Sequence, residues 1–429
     1  MRHSWPGGNH ADTRDIATLT GSRHGYGAKP AAAGRTAQGT PQSTLGPRPS
    51  GQRPSPRSRW VGDLSGAFAD LGTFLPLMVG MFAAQPLDPV GVLVGFGLFA
   101  LATAMIYRRP VPVQPMKAVA ALVIAGGLTV SEVAASGLLL GGILCLLAAI
   151  GVVGRLGRRI PHTVLSGIQL GVGLYLVWAG IKLMLQDPLV GLVALAGLLL
   201  LQWTRFKPLA ALAVVVGAAL WGLLQAEVAL PGLSFRLSLP RLILPDLHSL
   251  WASAQGVLLP QLAITLTNAT LITAAIAADL FPQDRARITP DRLAWSSGVL
   301  NLLLAPFGAF PMCHGAGGLV VQYKFGARTG LATAIFGFSC LLLGLFLGSD
   351  APALLLLLPL AAIGALLIPA GIDLAVSKRL RKAQPDGLVV ILLTGIACVT
   401  VHVAFGLLVG LALEGLRTLL VRTRGGPAE

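Results

Sequence analysis

Two polar interruptions in an otherwise apolar chain carry residue types that can hold an anion: PVPVQPMK at residues 110–117 and PMCHGAGG at residues 311–318. Each puts proline, glycine or polar groups where a membrane span would run unbroken. Irregular backbone at that depth is tolerated only where it is buried in protein or lines a cavity, and a pair of broken spans in corresponding halves marks the substrate site of a secondary transporter. A helix that restarts after a break leaves its first N–H groups unpaired, and these, with the helix dipole, attract negative charge. After Gln114 and Pro115 the helix is expected to open with Met116 and Lys117. A lysine in a first turn opposes the dipole unless an anion or carboxylate is near, so Lys117 reads as an anion ligand or as a partner for Asp70; the alternative is a lysine snorkelling to the headgroups. The second break is expected to open a helix at Pro311 and run through Cys313, His314, Gly315, Ala316, Gly317 and Gly318, small residues that let backbone approach a ligand. His314 could donate a hydrogen bond or carry a proton; otherwise the glycines serve tight packing and the histidine is satisfied in the core.

Other polar residues stand inside apolar runs. Asp63 and Asp70 lie in the first span, and an intramembrane acid is costly enough to be read as functional. Asp70, followed by Gly72, Thr73 and Pro76, is expected to weaken its helix and to serve as proton carrier or clamp for Lys117; Asp63 is expected to be a solvated cap. Gln261, Thr265 and Asn268, spaced by four and three, share one face of an α-helix, where they contact substrate or bond between helices. Gln169 reads as a structural hydrogen-bonding residue.

These residues must be positioned by membrane spans. Of 429 residues, 54% are hydrophobic and 11% charged, which makes the chain an all-α polytopic membrane protein and leaves no room for a soluble domain. Apolar runs near the ~20 residues needed to cross a bilayer succeed one another from about residue 60 to 421. The net charge of +15 is gathered in short loops, the positive-inside signal, and does not imply a nucleic-acid partner. Walking the spans predicts fourteen crossings with both termini cytoplasmic in the inner membrane. The expected domains are a disordered basic tail at 1–58, spans 1–7 at 59–225, an extracytoplasmic loop at 226–254, and spans 8–14 at 255–424. A start codon placed too far upstream explains the tail equally well. An odd number of spans per half is the arithmetic of a 7+7 inverted repeat. Pro115-Met116 recurs as Pro311-Met312, Pro161 as Pro359 and Gly167 as Gly364, at nearly one offset, and the same offset carries Asp70 onto Asn268. Cys145, Cys313, Cys340 and Cys398 sit in apolar runs without metal-ligand spacing. No nucleophile–base arrangement appears, so neither an enzyme nor a cofactor or metal site is expected.

At these residues the chain resembles the molybdate transporter family of bacteria and plants, which is related to the sulfate permeases. The matching stretches are ADLGTFLPL (69–77), PVQPMKAVAA (112–121), GIQLG (167–171), QLAITLTNA (261–269), ADLFP (278–282) and PMCHGAGGLVVQYKFGARTG (311–330). The resemblance implies fourteen spans in a core and a gate domain, an oxyanion site between spans 1, 3, 8 and 10, elevator-like alternating access, and molybdate as substrate. Ser166 departs from it, since an arginine often stands before Gly-Ile-Gln in that family.

The expected mechanism holds a tetrahedral dianion on the N–H groups that open spans 3 and 10. Lys117 neutralises part of the charge, and Gln114, Thr265, Asn268 and Thr73 orient it. Import of a dianion against the membrane potential calls for a coupled cation, expected to be a proton carried by Asp70 or His314. A sulfate or broader oxyanion permease, an anion channel on the same scaffold, and a homodimeric assembly remain open at this level.

Overall fold

Several helices open on the same device. Asp88–Pro89, Asp187–Pro188, Thr289–Pro290 and Gln384–Pro385 each place proline in the first turn, where a missing N–H is harmless. Three of the preceding side chains cap the turn: Asp88 accepts from the Val90 amide, Asp187 from Val190 and Thr289 from Arg292. The computed structural model describes residues 56–204, 209–225, 235–351, 354, 357–376, 380, 383–401 and 403–423. Most of the expected 1–58 tail, residues 226–234, and part of the positive charge expected in short loops (Arg205, Lys207, Lys378, Arg379, Arg381, Lys382 and Arg424) lie outside these residues.

In chain order the helices are α1 (Pro56–Ala67), α2 (Leu71–Ala84) and α3 (Pro89–Tyr107), then strand β1 (Val113–Pro115) and α4 (Lys117–Ile124). Next come α5 (Val130–Ala149), α6 (Val153–Arg159), α7 (His162–Met184), α8 (Pro188–Gln202) and α9 (Ala210–Gln225). The second part begins with α10 (Leu247–Ser253), α11 (Leu259–Ile264) and α12 (Thr273–Leu280), followed by α13 (Pro290–Leu304), strand β2 (Met312–His314), α14 (Ala316–Lys324) and α15 (Leu331–Leu347). It closes with α16 (Leu360–Ala375), α17 (Pro385–Thr400) and α18 (Val403–Thr423). Among the described residues seven helices are long and apolar enough to cross a membrane, and α8, α9, α16 and α17 are shorter apolar helices. The expected loop to residue 254 ends earlier, because Asp246 caps α10 through the Ser249 amide.

Packing joins distant parts of the chain. α3 lies on α15 and α5 on α13, while α7 packs against α16, α17 and α18; α2 touches α16, and α4 touches α7. The α7–α16 crossing is close because it is built on glycine. A Cβ on Gly371 would stand 2.7 Å from the Gly173 carbonyl oxygen, and one on Gly173 would stand 2.5 Å from that of Gly371.

Three local features differ from the sequence expectation. The first span breaks at Phe68–Asp70, as the Asp70 region suggested, but Asp63 is not solvated. It is 1% exposed and accepts hydrogen bonds from the amides of Arg328 (2.7 Å) and Thr329 (3.0 Å) and from the Thr329 hydroxyl (2.6 Å), so it caps the turn between α14 and α15. The helix from Leu247 to Leu280 is not uniformly α: residues Ala254–Leu258 and Thr265–Ile272 are π-helical. In the second of these, the hydroxyls of Thr267 and Thr273 bond back to the carbonyls of Ala263 and Asn268, a competition with the helix ladder that widens a turn. Finally, Cys313 and His314 belong to a strand and not to a helix opened by Pro311; the second helix starts at Ala316.

Removing the Asp63 carboxylate strands three donors. Asp63→Ala is expected to lower stability by roughly 3 kcal/mol, given about 1–3 kcal/mol for each buried group left unpaired, and Asp63→Asn by less. Thermal melting of the purified protein in detergent checks this, and an unchanged midpoint for Asp63→Ala contradicts the assigned cap.

Candidate anion site

The site is organised by the meeting of the two breaks. β1 and β2 pair antiparallel with Val113 opposite His314, Gln114 opposite Cys313 and Pro115 opposite Met312. The pairing continues one step, the Met116 amide donating to the Pro311 carbonyl at 2.9 Å. Side chains satisfy the outer edges. Asn301 accepts from the Met312 amide (2.8 Å) and donates to its carbonyl (2.7 Å), and the Thr333 hydroxyl donates to the Val111 carbonyl at 3.0 Å. Little backbone is left unpaired, as burial within the membrane requires.

Immediately after the ribbon, α4 and α14 begin. The Ala118 amide in the first turn of α4 is taken by Gln261 Oε1 at 2.8 Å, and Gln261 Nε2 donates to the Thr265 hydroxyl at 2.9 Å. The Lys117 and Val119 amides, and those of Ala316, Gly317 and Gly318 opening α14, have no hydrogen-bond partner among the described residues. Glycine is required here by space. A Cβ on Gly318 would lie 2.6 Å from Asp70 Oδ2, and one on Gly315 would overlap the Gln114 amide, whereas a Cβ on Gly317 meets nothing within 4 Å.

A cavity of about 460 Å³ lies at these helix starts. It is lined by Thr73, Lys117, Asn268, Ala316 and Gly317 among the residues expected from sequence, and also by Gln169 of α7 and Asp373 of α16. Apolar side chains, including Leu176, Ile276 and Val320, close the rest. Lys117 is in none of the ion pairs formed among the described residues.

The other expected residues stand behind this surface. Asp70 receives a hydrogen bond from Gln114 Nε2 and is joined to the cavity only through its neighbours. Pro115, Met116 and Gly315 are buried backbone elements of the ribbon and helix caps, and the Met116 side chain is in the hydrophobic core. Gln261 and Thr265 turn toward α4, while Asn268, beyond the onset of the π-helical segment, faces the cavity; the shared α-helical face does not persist through a π turn. His314 faces away. Its Nε2 is 3.0 Å from the Ser296 hydroxyl, Nδ1 is 3.3 Å from the Pro112 carbonyl, and its ring meets Phe99 and Tyr107 edge-on. A neutral imidazole that donates to Pro112 and accepts from Ser296 has both nitrogens occupied, leaving none free for the coupling role expected of it.

Sequence reasoning underrated Gln169 and missed Asp373. Gln169 is 5% exposed with an unpartnered Oε1, the mark of a polar group held for something other than packing. Its position between glycines was the available signal; Asp373, near the end of an apolar helix, offered none about what it faces.

The glycine geometry separates binding from folding. Gly317→Leu is expected to fill the cavity and abolish anion binding while the melting midpoint stays within a few degrees of wild type. Gly318→Ala is expected to displace Asp70 and lower the midpoint. Melting curves with and without added oxyanion measure both, and a Gly317→Leu protein that is still stabilised by the anion contradicts the assignment of the cavity.

Comparison with known proteins agrees with this architecture. A family model described as "Molybdate transporter of MFS superfamily" matches residues 62–176 and 253–374, the stretches that contain both breaks. Molybdate transporter 1 of Arabidopsis thaliana is 28% identical over 387 residues, covering 79% of this chain and 84% of the relative. Molybdate transporter 2 of the same plant is 29% identical over 401 residues, covering 82% and 86%. Among solved structures, the transmembrane domain of the cyanobacterial bicarbonate transporter BicA superposes with a TM-score of 0.61 at 17% identity, covering 81% of this chain and 96% of that domain; the likeness is one of fold. With the family model matching more than half of its length across both breaks, the chain belongs to the molybdate transporter family.

Proposed function

We propose that this protein imports molybdate across the cytoplasmic membrane by proton-coupled alternating access. One observation carries the reading: two helix N-termini, joined by a strand pair, open onto one cavity beside a lysine that forms no ion pair among the described residues. Open amides, the positive ends of two dipoles and an ammonium group suit a small dianion. Thr73 and Asn268 supply orienting side chains at the wall, and Gln261 holds α4 in place by occupying its Ala118 amide.

The fourteen-span, 7+7 arrangement is part of the proposal. Taking α13 and the two strand-to-helix segments with the long and short apolar helices gives fourteen crossings. An inverted repeat over 59–225 and 255–424 exchanges α3 with α13 and α5 with α15, so the α3–α15 and α5–α13 contacts become one contact seen twice. Pro161 and Pro359 cap the equivalent helices α7 and α16. The Pro115-Met116 and Pro311-Met312 match is not part of this equivalence, since the strands align Met116 with Gly315 as helix caps. In this scheme α7, α8, α9, α16, α17 and α18 form the gate, the remaining helices with the ribbon form the core, and both termini are cytoplasmic.

Bringing a dianion into a negative-inside cell costs ~2.3 kcal/mol per charge per 100 mV, so a cation must move with it. Asp70 is the proposed proton carrier. It adjoins the cavity wall through Thr73, which lines the cavity and whose amide donates to the Asp70 carbonyl, and it lines a small second cavity with Gln322, whose buried Oε1 has no partner among the described residues, so a protonated Asp70 has an acceptor at hand.

Labelled molybdate uptake into proteoliposomes under an imposed pH gradient tests the reading. Wild-type uptake is expected to be saturable, uphill and resistant to excess sulfate. Lys117→Ala is expected to reduce it at least about tenfold, ~1.4 kcal/mol of binding, and Asp70→Asn to remove its dependence on the pH gradient. Equal competition by sulfate would turn the assignment toward a broader oxyanion permease, and large currents without accumulation toward a channel.

A further inference from the structure

The anion cavity has two charged side chains in its lining, Lys117 and Asp373, and they come from different packing groups. Lys117 opens α4, which continues directly from the ribbon; Asp373 is in the last turn of α16, and both helices pack against α7. Neither takes part in an ion pair among the described residues, and Asp373 has no hydrogen-bond partner there. Asp373 also stands where its charge is unfavourable, because the carbonyl end of a helix repels an acid. A carboxylate kept at a dipole's negative end, in the wall of a cavity suited to anions, weakens substrate binding unless it has another task.

That task follows from the return of the unloaded carrier. With substrate bound, the charge of Lys117 and of the two helix starts is balanced. Without substrate, the same groups have only the deprotonated Asp70 buried behind them to offset their charge, and crossing an apolar interface with the cavity face of Lys117 unpaired is costly. Asp70 is held behind the cavity by Gln114 and is not part of the cavity lining, so it does not stand in the substrate's place. We propose that Asp373 is the stand-in anion of the empty carrier: when no oxyanion is present the cavity narrows and the Asp373 carboxylate pairs with Lys117, so that the empty core moves without a bare charge. An entering oxyanion displaces the carboxylate, which couples occupancy of the site to separation of α16 from α4. The inference rests on the anion-carrier reading above.

The two halves of the transport cycle separate it from that reading. Net uptake needs the empty carrier to return, whereas exchange of labelled molybdate for unlabelled molybdate across the membrane uses only the loaded one. In proteoliposomes holding the full chain, Asp373→Asn is expected to lower net molybdate uptake at least tenfold while exchange falls less than twofold. Asp373→Glu, which keeps the charge, is expected to restore net uptake to within about threefold of wild type. Lys117→Ala is expected to lose both activities. Asp373→Asn that reduces net uptake and exchange in parallel, or changes neither, overturns the proposal, as does failure of Asp373→Glu to rescue. Wild-type protein that neither accumulates nor exchanges molybdate or sulfate overturns the carrier reading itself.

Discussion

The rest of the site depends on one constraint, that backbone interrupted inside a membrane must find partners within the protein. Each break on its own would leave a row of amides and carbonyls facing hydrocarbon. Joined as a two-stranded ribbon they satisfy one another, and Asn301, Thr333 and His314 finish the edges. The ribbon therefore accounts for what the sequence shows at a distance of two hundred residues: a proline-rich segment in one half has meaning only because the other half has its complement. It also ties the two starts, α4 and α14, into one unit, so neither can move without the other.

The two helix starts are not alike, and the difference divides the work. α4 brings a full positive charge in Lys117 but gives up one of its amides to Gln261. α14 brings no charge and keeps its first three amides open behind alanine and glycine. A lysine at a helix start is electrostatically unfavourable by itself, and the Gln261 bond anchors α4 to the long π-distorted helix. Long-range attraction thus comes from the α4 side and short-range hydrogen bonding from the α14 side, a combination that suits the tetrahedral anion proposed as substrate.

What could be read in the sequence was whatever proline, glycine and composition announce. The breaks at 110–117 and 311–318, the weak point at Asp70, the apolar spans and the cavity positions of Lys117, Thr73, Asn268, Ala316 and Gly317 all carry such marks. The rest depends on what a residue meets across space. Asp63 looked solvated because it lies near the expected cytoplasmic end of its span, yet its partners are 265 and 266 residues away. His314 read as a hydrogen-bond donor or proton carrier because of its neighbours in sequence, but a strand turns alternate side chains to opposite sides, and the ribbon directs its ring toward Ser296. The face shared by Gln261 and Asn268 assumed an α-helical period that threonine back-bonding disrupts.

If the proposed site holds a tetrahedral dianion, charge alone cannot make it choose among such anions, since Lys117 and two dipole ends attract any of them equally. Discrimination has to come from the distance between donors, and that distance is set by the ribbon register that pairs Gln114 with Cys313. Beyond the two helix starts the lining is apolar except for Thr73, Gln169, Asn268 and Asp373, so it can exclude an anion of the wrong size but offers few hydrogen bonds to a small one. A smaller oxyanion then satisfies one helix start at a time and leaves the other's amides without a partner in the bound state, which costs binding energy. Since pocket fit without such unpaired donors discriminates by only about 1–3 kcal/mol, the separation of α4 from α14, and not the number of positive charges, is the quantity through which this fold can select its anion.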